Sequence, residues 1–202
     1  DQIEGTQARP INPASTEREG AYVLHRSKID KNIIYAGLKN GMEVLKLTGQ
    51  RWVSTGRVDG IHEEIRTIVE GKDGVLWLGT VFQGVLRVRL TTQNSNGWQA
   101  EVERFNRAHG LPDGPANISR LNGNIVFATR KGHRRFDAAQ KRFYPDSTIT
   151  PELADTTLIA AWVEEDQFGQ VFVWPVNEDG KSELWLASPQ RDTGYLVDKQ
   201  RF

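Results

Sequence analysis

The sequence predicts an all-β protein made of about four repeated, four-stranded antiparallel sheets. Short apolar runs alternate with tight turns rich in Gly, Asn and Asp along most of the chain. The pattern recurs at roughly 42 to 50 residue intervals, which is the spacing of blades in repeat β-proteins. The second run of the best copy is apolar on both faces, so both faces must be covered. Sheets of this kind are typical of β-propeller blades.

The clearest copy spans residues 61–105 and contains the run IRTIVEGKDGVLWLGTVFQGVLRVRL. Asp73-Gly74 and Gln83-Gly84 are its turn signals. In the middle strand, Val75 and Trp77 alternate with leucines on the other face. The four predicted strands are 65–70, 74–80, 85–90 and 99–105, with 91–98 as a polar loop before the last.

Three further copies follow the same plan, at residues 20–58, 116–145 and 156–202. An aromatic residue of each second strand is predicted to fill the space between neighbouring blades. These aromatics are Tyr35, Trp77, Phe127 and Phe172. Any all-β domain with aromatic strands, such as a sandwich, is the alternative, but four copies that share strand and turn positions favour the propeller.

Two segments fit this plan less well. Residues 1–19 are polar and are interpreted as a linker or as an orphan outer strand. Residues 152–166 have a helical alternative, in which Leu158, Ala161 and Trp162 share a face. The repeat register favours a strand, and we follow the register.

Composition excludes several classes of function. The chain has 26 basic and 26 acidic residues, which argues against nucleic-acid binding. It has no cysteine, hence no disulfide or thiolate metal site. No apolar run is long enough for a membrane span. Met42 is the only methionine, so we expect the chain to be a piece of a longer protein.

Catalytic and metal motifs are weak. The four histidines show no metal-ligand spacing, and the sequence contains neither a nucleophile elbow nor a phosphate-binding loop. Asp73 and Asp166 precede turns and are expected to accept hydrogen bonds from nearby backbone rather than to bind calcium. We therefore expect no catalytic residue, no metal site and no cofactor.

The candidate ligand-binding residues lie in the loops that lead into first strands and in the turns between second and third strands. In a propeller these segments surround the mouth of the channel. Arg130 and Lys131 open a basic run, residues 130–135, that could hold an anionic group; a charged edge that discourages strand pairing is the alternative. The candidates are His62, Glu63, Asp113, Asn117, Arg130, Lys131 and His133.

The best copy resembles the two-component regulator propeller repeat. That repeat runs approximately I-x-x-I-x-E/D-x-x-G-x-L-W-x-G-T-x-x-x-G-L-x-R, with a later aromatic and G-L-P. The matching residues are Ile65, Ile68, Glu70, Asp73, Gly74, Leu76, Trp77, Gly79, Thr80, Gly84, Leu86, Arg87, Phe105 and Gly110-Leu111-Pro112. The match is strong over 65–121 and weaker in the other copies.

This resemblance implies the non-catalytic, ligand-binding sensor segment of a bacterial signalling protein. It implies a periplasmic or extracellular location within a membrane-anchored parent, whose output module is a histidine kinase, a diguanylate cyclase or a DNA-binding domain. The implied ligand is small and polar, with carbohydrate as one option. Nothing in the segment itself implies nucleic-acid binding or direct membrane insertion.

Two other functions stay open from the sequence. One is a protein-interaction propeller, and the other is a propeller lyase, for which His62 and Glu63 would be the acid–base pair. Four blades are also fewer than this family usually has. We therefore expect part of a larger ring, with apolar blade faces that drive self-association or dimerisation.

Overall fold

The computed structural model describes residues 2–4, 7–9, 20–154, 159–176, 180–190 and 194–201. Within these ranges the chain forms four antiparallel sheets of four consecutive strands each, plus one short two-stranded sheet. In each four-stranded sheet the strands lie side by side in chain order. The all-β prediction and the propeller-blade sheets are thereby confirmed.

The strands have the following bounds. The short pair is β1 (Gln2–Glu4) and β2 (Gln7–Arg9). The first sheet is β3 (Val23–Arg26), β4 (Ile33–Leu38), β5 (Gly41–Thr48) and β6 (Arg51–Arg57). The second sheet is β7 (Ile65–Glu70), β8 (Leu76–Thr80), β9 (Val85–Asn94) and β10 (Gly97–Phe105). The third sheet is β11 (Ala116–Leu121), β12 (Asn124–Thr129), β13 (Gly132–Asp137) and β14 (Arg142–Pro145). The fourth sheet is β15 (Ile159–Glu165), β16 (Val171–Val176), β17 (Glu183–Gln190) and β18 (Gly194–Arg201).

The chain divides into two compact units. Unit one comprises residues 1–78 and 86–103, and unit two comprises residues 79–85 and 104–202. In unit one, alternate side chains of the first and second sheets form a single buried cluster. Its members include Tyr35, Met42, Val44, Ile65, Leu76, Leu78 and Val88. The period-two alternation of strand side chains places these residues on facing sides of the two sheets.

Unit two has a corresponding cluster between the third and fourth sheets. It contains Leu121, Val126, Leu153, Val163, Val171, Val173, Trp185 and Ala187. The other side of the third sheet carries phenylalanines, among which Phe127 and Phe143 meet edge to face with ring centroids 4.8 Å apart. Aromatic edge-to-face contacts add about 0.5–1.5 kcal/mol beyond simple burial.

The strand interpretation is confirmed over residues 159–165, because β15 pairs with β16 from Ile159 to Glu165, with a register shift between Ala160 and Trp162. In the described part of the segment with the helical alternative, the helical structure is a single 3₁₀ turn at Pro151–Ala154. The polar loop predicted at 91–98 is wrong. β9 continues to Asn94 and β10 begins at Gly97, so Ser95 and Asn96 form a tight turn at the tip of a long hairpin. The polarity of 91–98 reflects exposed strand ends, which a sequence pattern does not distinguish from a loop.

The alignment of Phe127 with the other aromatics is also corrected. Tyr35 lies three residues before the end of β4 and Trp77 three before the end of β8, but Phe127 lies two before the end of β12. Because strand side chains alternate, Phe127 lies on the opposite face. Val126 holds the equivalent position and joins the cluster with the fourth sheet.

Among the described residues, no helix is long and apolar enough to cross a bilayer. The division into a terminal segment, 1–19, and four blades stays a prediction. Of the terminal segment the structure describes the β1–β2 pair.

Candidate functional site

The loops before first strands and the turns between second and third strands lie at the same end of each sheet. In the first sheet Val23 pairs with Gly37, next to the Leu38–Gly41 pair that closes the following turn. In the third sheet Ala116 pairs with Thr129, which in turn pairs with Gly132. The antiparallel register therefore brings these predicted site segments together at one end of the strands in each unit, which is called the polar edge of that unit below.

In unit one this edge joins the turn at Lys39 and Asn40 to the loop that carries His62 and Glu63. The Gly41 N–H donates to the Glu63 carbonyl oxygen at 2.9 Å. Gly41 has φ +105°, and a Cβ there would lie 2.4 Å from the Ile61 carbonyl oxygen. Only glycine combines that φ with so close a backbone approach, so this Asn-Gly turn sets the position of the loop.

His62 and Glu63 are neighbours but are joined through the backbone. The Glu63 Oε2 atom accepts a hydrogen bond from the His62 backbone N–H at 3.0 Å. The His62 side chain is exposed and the Glu63 side chain is half-buried. The carboxylate thus orders the loop, which leaves the imidazole presented to solvent beside it.

Three residues of the same edge escaped the sequence interpretation. The Arg66 guanidinium carbon lies 3.7 Å from the ring centroid of Tyr22, and Arg66 Nε donates to Glu64 Oε1 at 2.6 Å. The Tyr22 N–H donates to the Gly37 carbonyl at 2.8 Å, which holds the ring next to the turn. Such an aromatic–cation–carboxylate arrangement offers a flat ring and hydrogen-bonding groups together. The sequence gives only a slight signal for this contact: Tyr22 directly precedes the first strand of one sheet, and Arg66 lies in the first strand of the next sheet.

In unit two the corresponding edge brings Asp113 and Gly114 beside Arg130. A Cβ on Gly114, whose φ is +105°, would lie 3.0 Å from both Cδ and Nε of Arg130. The loop therefore packs on the arginine stem. Asp113 also lies 3.5 Å from Arg107, but their side chains are 80% and 83% exposed, so this pair contributes at most about 1 kcal/mol.

A threonine fixes the second-to-third turn in two sheets. Thr80 Oγ1 donates to the Gly84 carbonyl at 2.9 Å and accepts from the Gln83 N–H at 2.8 Å. Thr129 Oγ1 donates to the Gly132 carbonyl at 2.7 Å and accepts from the Lys131 N–H at 3.2 Å. The threonine at this position of the repeat is therefore a turn residue. Thr80 fixes the backbone at Gln83, and Thr129 fixes the backbone at Lys131.

His133 is not in the turn where the sequence interpretation placed it. It lies in β13 and is 2% exposed, and its Nε2 atom is buried without a hydrogen-bond partner. Burial lowers the pKa of His133 to about 4; the nearby Asp146 carboxylate opposes this and the Arg134 guanidinium adds to it. A neutral, buried imidazole is poorly placed to contact a ligand. Period-two alternation does not predict this burial, because His133 shares its side of β13 with Arg135, which is exposed.

The remaining candidates are placed as follows. Asn117 pairs with Ala128 on β11 and is half-buried, and Arg130 and Lys131 are exposed at the turn itself. Asp155, which the sequence pattern places in the loop before the first strand of the last copy, lies outside the described residues. Over the described ranges, no group of three or more His, Asp or Glu side chains is arranged to hold a metal ion.

The two aspartates with a calcium alternative are engaged in their own turns. Asp73 Oδ1 accepts from the Val75 N–H at 3.3 Å, and Asp166 Oδ1 accepts from the Phe168 N–H at 2.8 Å. The turn role expected for both residues is therefore confirmed.

The sheets and their fixed turns define blades of the β-propeller class. Residues 59–82 match the family model described as two component regulator propeller. This match covers the loop with His62 and Glu63, all of β7 and β8, and Thr80. The resemblance inferred from the sequence is confirmed for this repeat.

One similar solved structure is the extracellular domain of a candidate one component system from B. thetaiotaomicron. The two are 14% identical, with a TM-score of 0.43. The similarity covers 96% of this chain, and the chain spans 37% of the length of that one. No curated protein matches the chain.

Proposed function

We propose that this chain is a non-catalytic, ligand-binding sensor segment of a bacterial signalling protein. The observation that supports it most is the two component regulator propeller repeat at residues 59–82. Such a segment would lie outside the cytoplasm, periplasmic or extracellular, in a membrane-anchored parent that carries the output module. The proposal concerns binding alone and assigns no chemical step to the chain.

The polar edge of unit one is the proposed ligand surface. It presents the exposed His62 ring, the Tyr22 ring and the Arg66 guanidinium, all on segments held by backbone hydrogen bonds. Pre-ordered groups reduce the entropy cost of binding a small polar ligand. The arrangement supports binding over lyase chemistry, because the His62–Glu63 hydrogen bond uses the backbone N–H and not the imidazole.

A ligand bound at the polar edge of unit one would contact segments of both the first and the second sheet. The Gly41–Glu63 hydrogen bond joins the β4–β5 turn of the first sheet to the loop that precedes the second. A ligand that contacts both segments would favour one arrangement of the two sheets over others. This is a population shift, which is how a binding segment without chemistry passes on a signal.

The test is a thermal-shift screen of the chain with neutral and acidic mono- and oligosaccharides. We expect at least one ligand to raise the Tm, because a ligand that binds the folded state stabilises it. His62→Ala and Tyr22→Ala should each reduce that shift, while Lys46→Ala, exposed on β5 away from the turn, should leave it unchanged. A Tm that no ligand raises, or a shift that survives both substitutions, would contradict the proposal.

A further inference from the structure

The fourth sheet is apolar on both faces. One face belongs to the buried cluster of unit two, through Val163, Val171, Val173, Trp185 and Ala187. Because neighbouring strand residues point to opposite sides, the residues between these form the second face. That second face carries three of the large apolar side chains that are exposed among the described residues, namely Trp162, Trp174 and Leu196.

Tryptophans dominate this second face. Trp162 and Trp174 are direct cross-strand partners and are 52% and 37% exposed. The Phe172 ring stacks with Trp174 at a centroid distance of 6.2 Å, and Leu186 pairs with Phe172 in the next strand. Leu196 on β18 is 65% exposed. Contiguous apolar surface of this kind marks an interaction site in a soluble chain.

Unit one shows what such a face accepts. There the equivalent face of the first sheet, with Tyr35, Met42 and Val44, is buried by aliphatic side chains of the second sheet. Tyr35 is only 6% exposed as a result. By the same packing, the aromatic face of the fourth sheet fits the aliphatic face of another blade-like sheet.

The outward side of the first sheet is open at β3, whereas Ala36, Leu38 and Leu45 on the same side are buried, at 3%, 4% and 5% exposed. Leu24 is 61% exposed, and Arg26, two residues along β3 on the same side, is exposed as well. Arg26 pairs with Ile34, which adds a further apolar group. The aromatic face of the fourth sheet carries Glu164 and Asp198, both exposed and on the same side as Phe172 and Leu186. The two faces are thus complementary in charge as well as apolar.

We propose that the aromatic face of the fourth sheet docks onto the Leu24–Arg26 face of a second copy of this chain. The contact is head to tail, since the two copies use different surfaces. This interface goes beyond the proposed ligand binding and does not rest on it. It would bury both tryptophans and place Arg26 of one copy near acidic side chains of the other.

The experiment is sedimentation velocity combined with light scattering, over about a hundredfold range of chain concentration. We expect the mass to rise with concentration from the 22.8 kDa of one chain to at least about twice that. Trp174→Glu and Leu24→Glu should each weaken association by more than about tenfold. Phe168→Glu is the matched control, because Phe168 is 77% exposed but lies in the β15–β16 turn, off the aromatic face.

Mixing the two blocked variants tests the head-to-tail geometry. Trp174→Glu keeps an intact first sheet and Leu24→Glu keeps an intact fourth sheet, so their equimolar mixture should form a one-to-one pair that neither forms alone. Trp162→Gln provides a milder variant if Trp174→Glu fails to fold by circular dichroism. A chain that stays monomeric throughout, or a Leu24→Glu variant that associates as the native chain does, would overturn the proposal.

Discussion

His133 is a buried histidine whose protonation opposes folding. Its pKa is about 4 in the folded chain, against an ordinary value of 6.5. The folded chain therefore keeps the ring neutral where the unfolded chain binds a proton. Above pH 6.5 His133 is neutral in both states and does not reduce the free energy of unfolding. As the pH falls from 6.5 toward 4, only the unfolded chain binds the proton, and the free energy of unfolding decreases by about 1.4 kcal/mol per pH unit.

We expect His133→Gln to reduce the loss of stability between pH 7.5 and pH 5 by about 2 kcal/mol, because glutamine does not titrate. Urea unfolding at the two pH values measures this. Identical pH dependence in the native chain and His133→Gln would rule out His133 as the cause.

Glu70 is a buried carboxylate that joins two sheets. Its Oε1 accepts from the Ser27 hydroxyl at 2.8 Å, and its Oε2 accepts from the Lys28 N–H at 2.6 Å. Glu70 is 3% exposed. Burial, followed by the negative charge of Glu70, raises the pKa of the adjacent Tyr35 to about 12. The acidic position of the repeat thus fastens the second sheet to the first.

Glu70→Ala should lower the free energy of unfolding by about 2–4 kcal/mol, because two charge-assisted hydrogen bonds are lost in a buried place. Glu165 holds the corresponding place in the fourth sheet, where its Oε2 accepts from the Asn122 N–H at 2.7 Å at the surface. Glu165→Ala should cost only about 1 kcal/mol. Chemical denaturation compares the two, and equal costs would contradict the structural role given to Glu70.

The β9–β10 hairpin is the element whose length the repeat did not predict. Close to its tip, Trp98 contacts the first sheet: Trp98 Nε1 donates to Thr55 Oγ1 at 3.0 Å, and the Asp59 N–H donates to the Trp98 carbonyl at 2.8 Å. Gly56 and Gly97 pass so closely that a Cβ on Gly56 would lie 2.6 Å from the Gly97 Cα. The hairpin thereby covers part of the outer edge at β6, which limits edge-to-edge pairing.

Gly56→Ala should therefore destabilise the chain by about 3 kcal/mol or more, through strain and displacement of the hairpin. Gly49 is the control. It also has positive φ, at +63°, but nothing lies within 4 Å of its Cβ position. Gly49→Ala should cost only about 1 kcal/mol. Thermal unfolding measures both, and a difference near zero would show that the close approach has no energetic consequence.

At the scale of the whole molecule, the balanced charge sets solution behaviour. With 26 basic and 26 acidic residues the chain has a sequence pI of about 7.1. We expect its solubility to be lowest near pH 7 and to rise on either side, because net charge of either sign keeps molecules apart. Precipitation midpoints in polyethylene glycol across pH 5.5–9 test this. A solubility that falls steadily across that range would contradict it.

Much of the polar edge was predictable because turn chemistry is local. Asn40-Gly41 and the Gly-Thr pair at Thr80 specify their turns through φ and a hydroxyl within a few residues. The position of His133 was missed because the sequence interpretation placed it in the turn, whereas β13 already begins at Gly132. The Tyr22–Arg66 contact joins residues 44 positions apart, and no local pattern encodes such a pair.

The sequence by itself determined the four-sheet repeat and most of its strands and turns, though not the length of the β9–β10 hairpin, because alternation and turn residues act over two to four positions. The tertiary structure alone decided which face of each strand is buried and against what. Phe127 packs against Phe143, Glu70 accepts a hydrogen bond from Ser27, and Trp162 and Trp174 are exposed. Those outcomes depend on packing between sheets about 40 residues apart in sequence, where a shift of one residue exchanges the two faces.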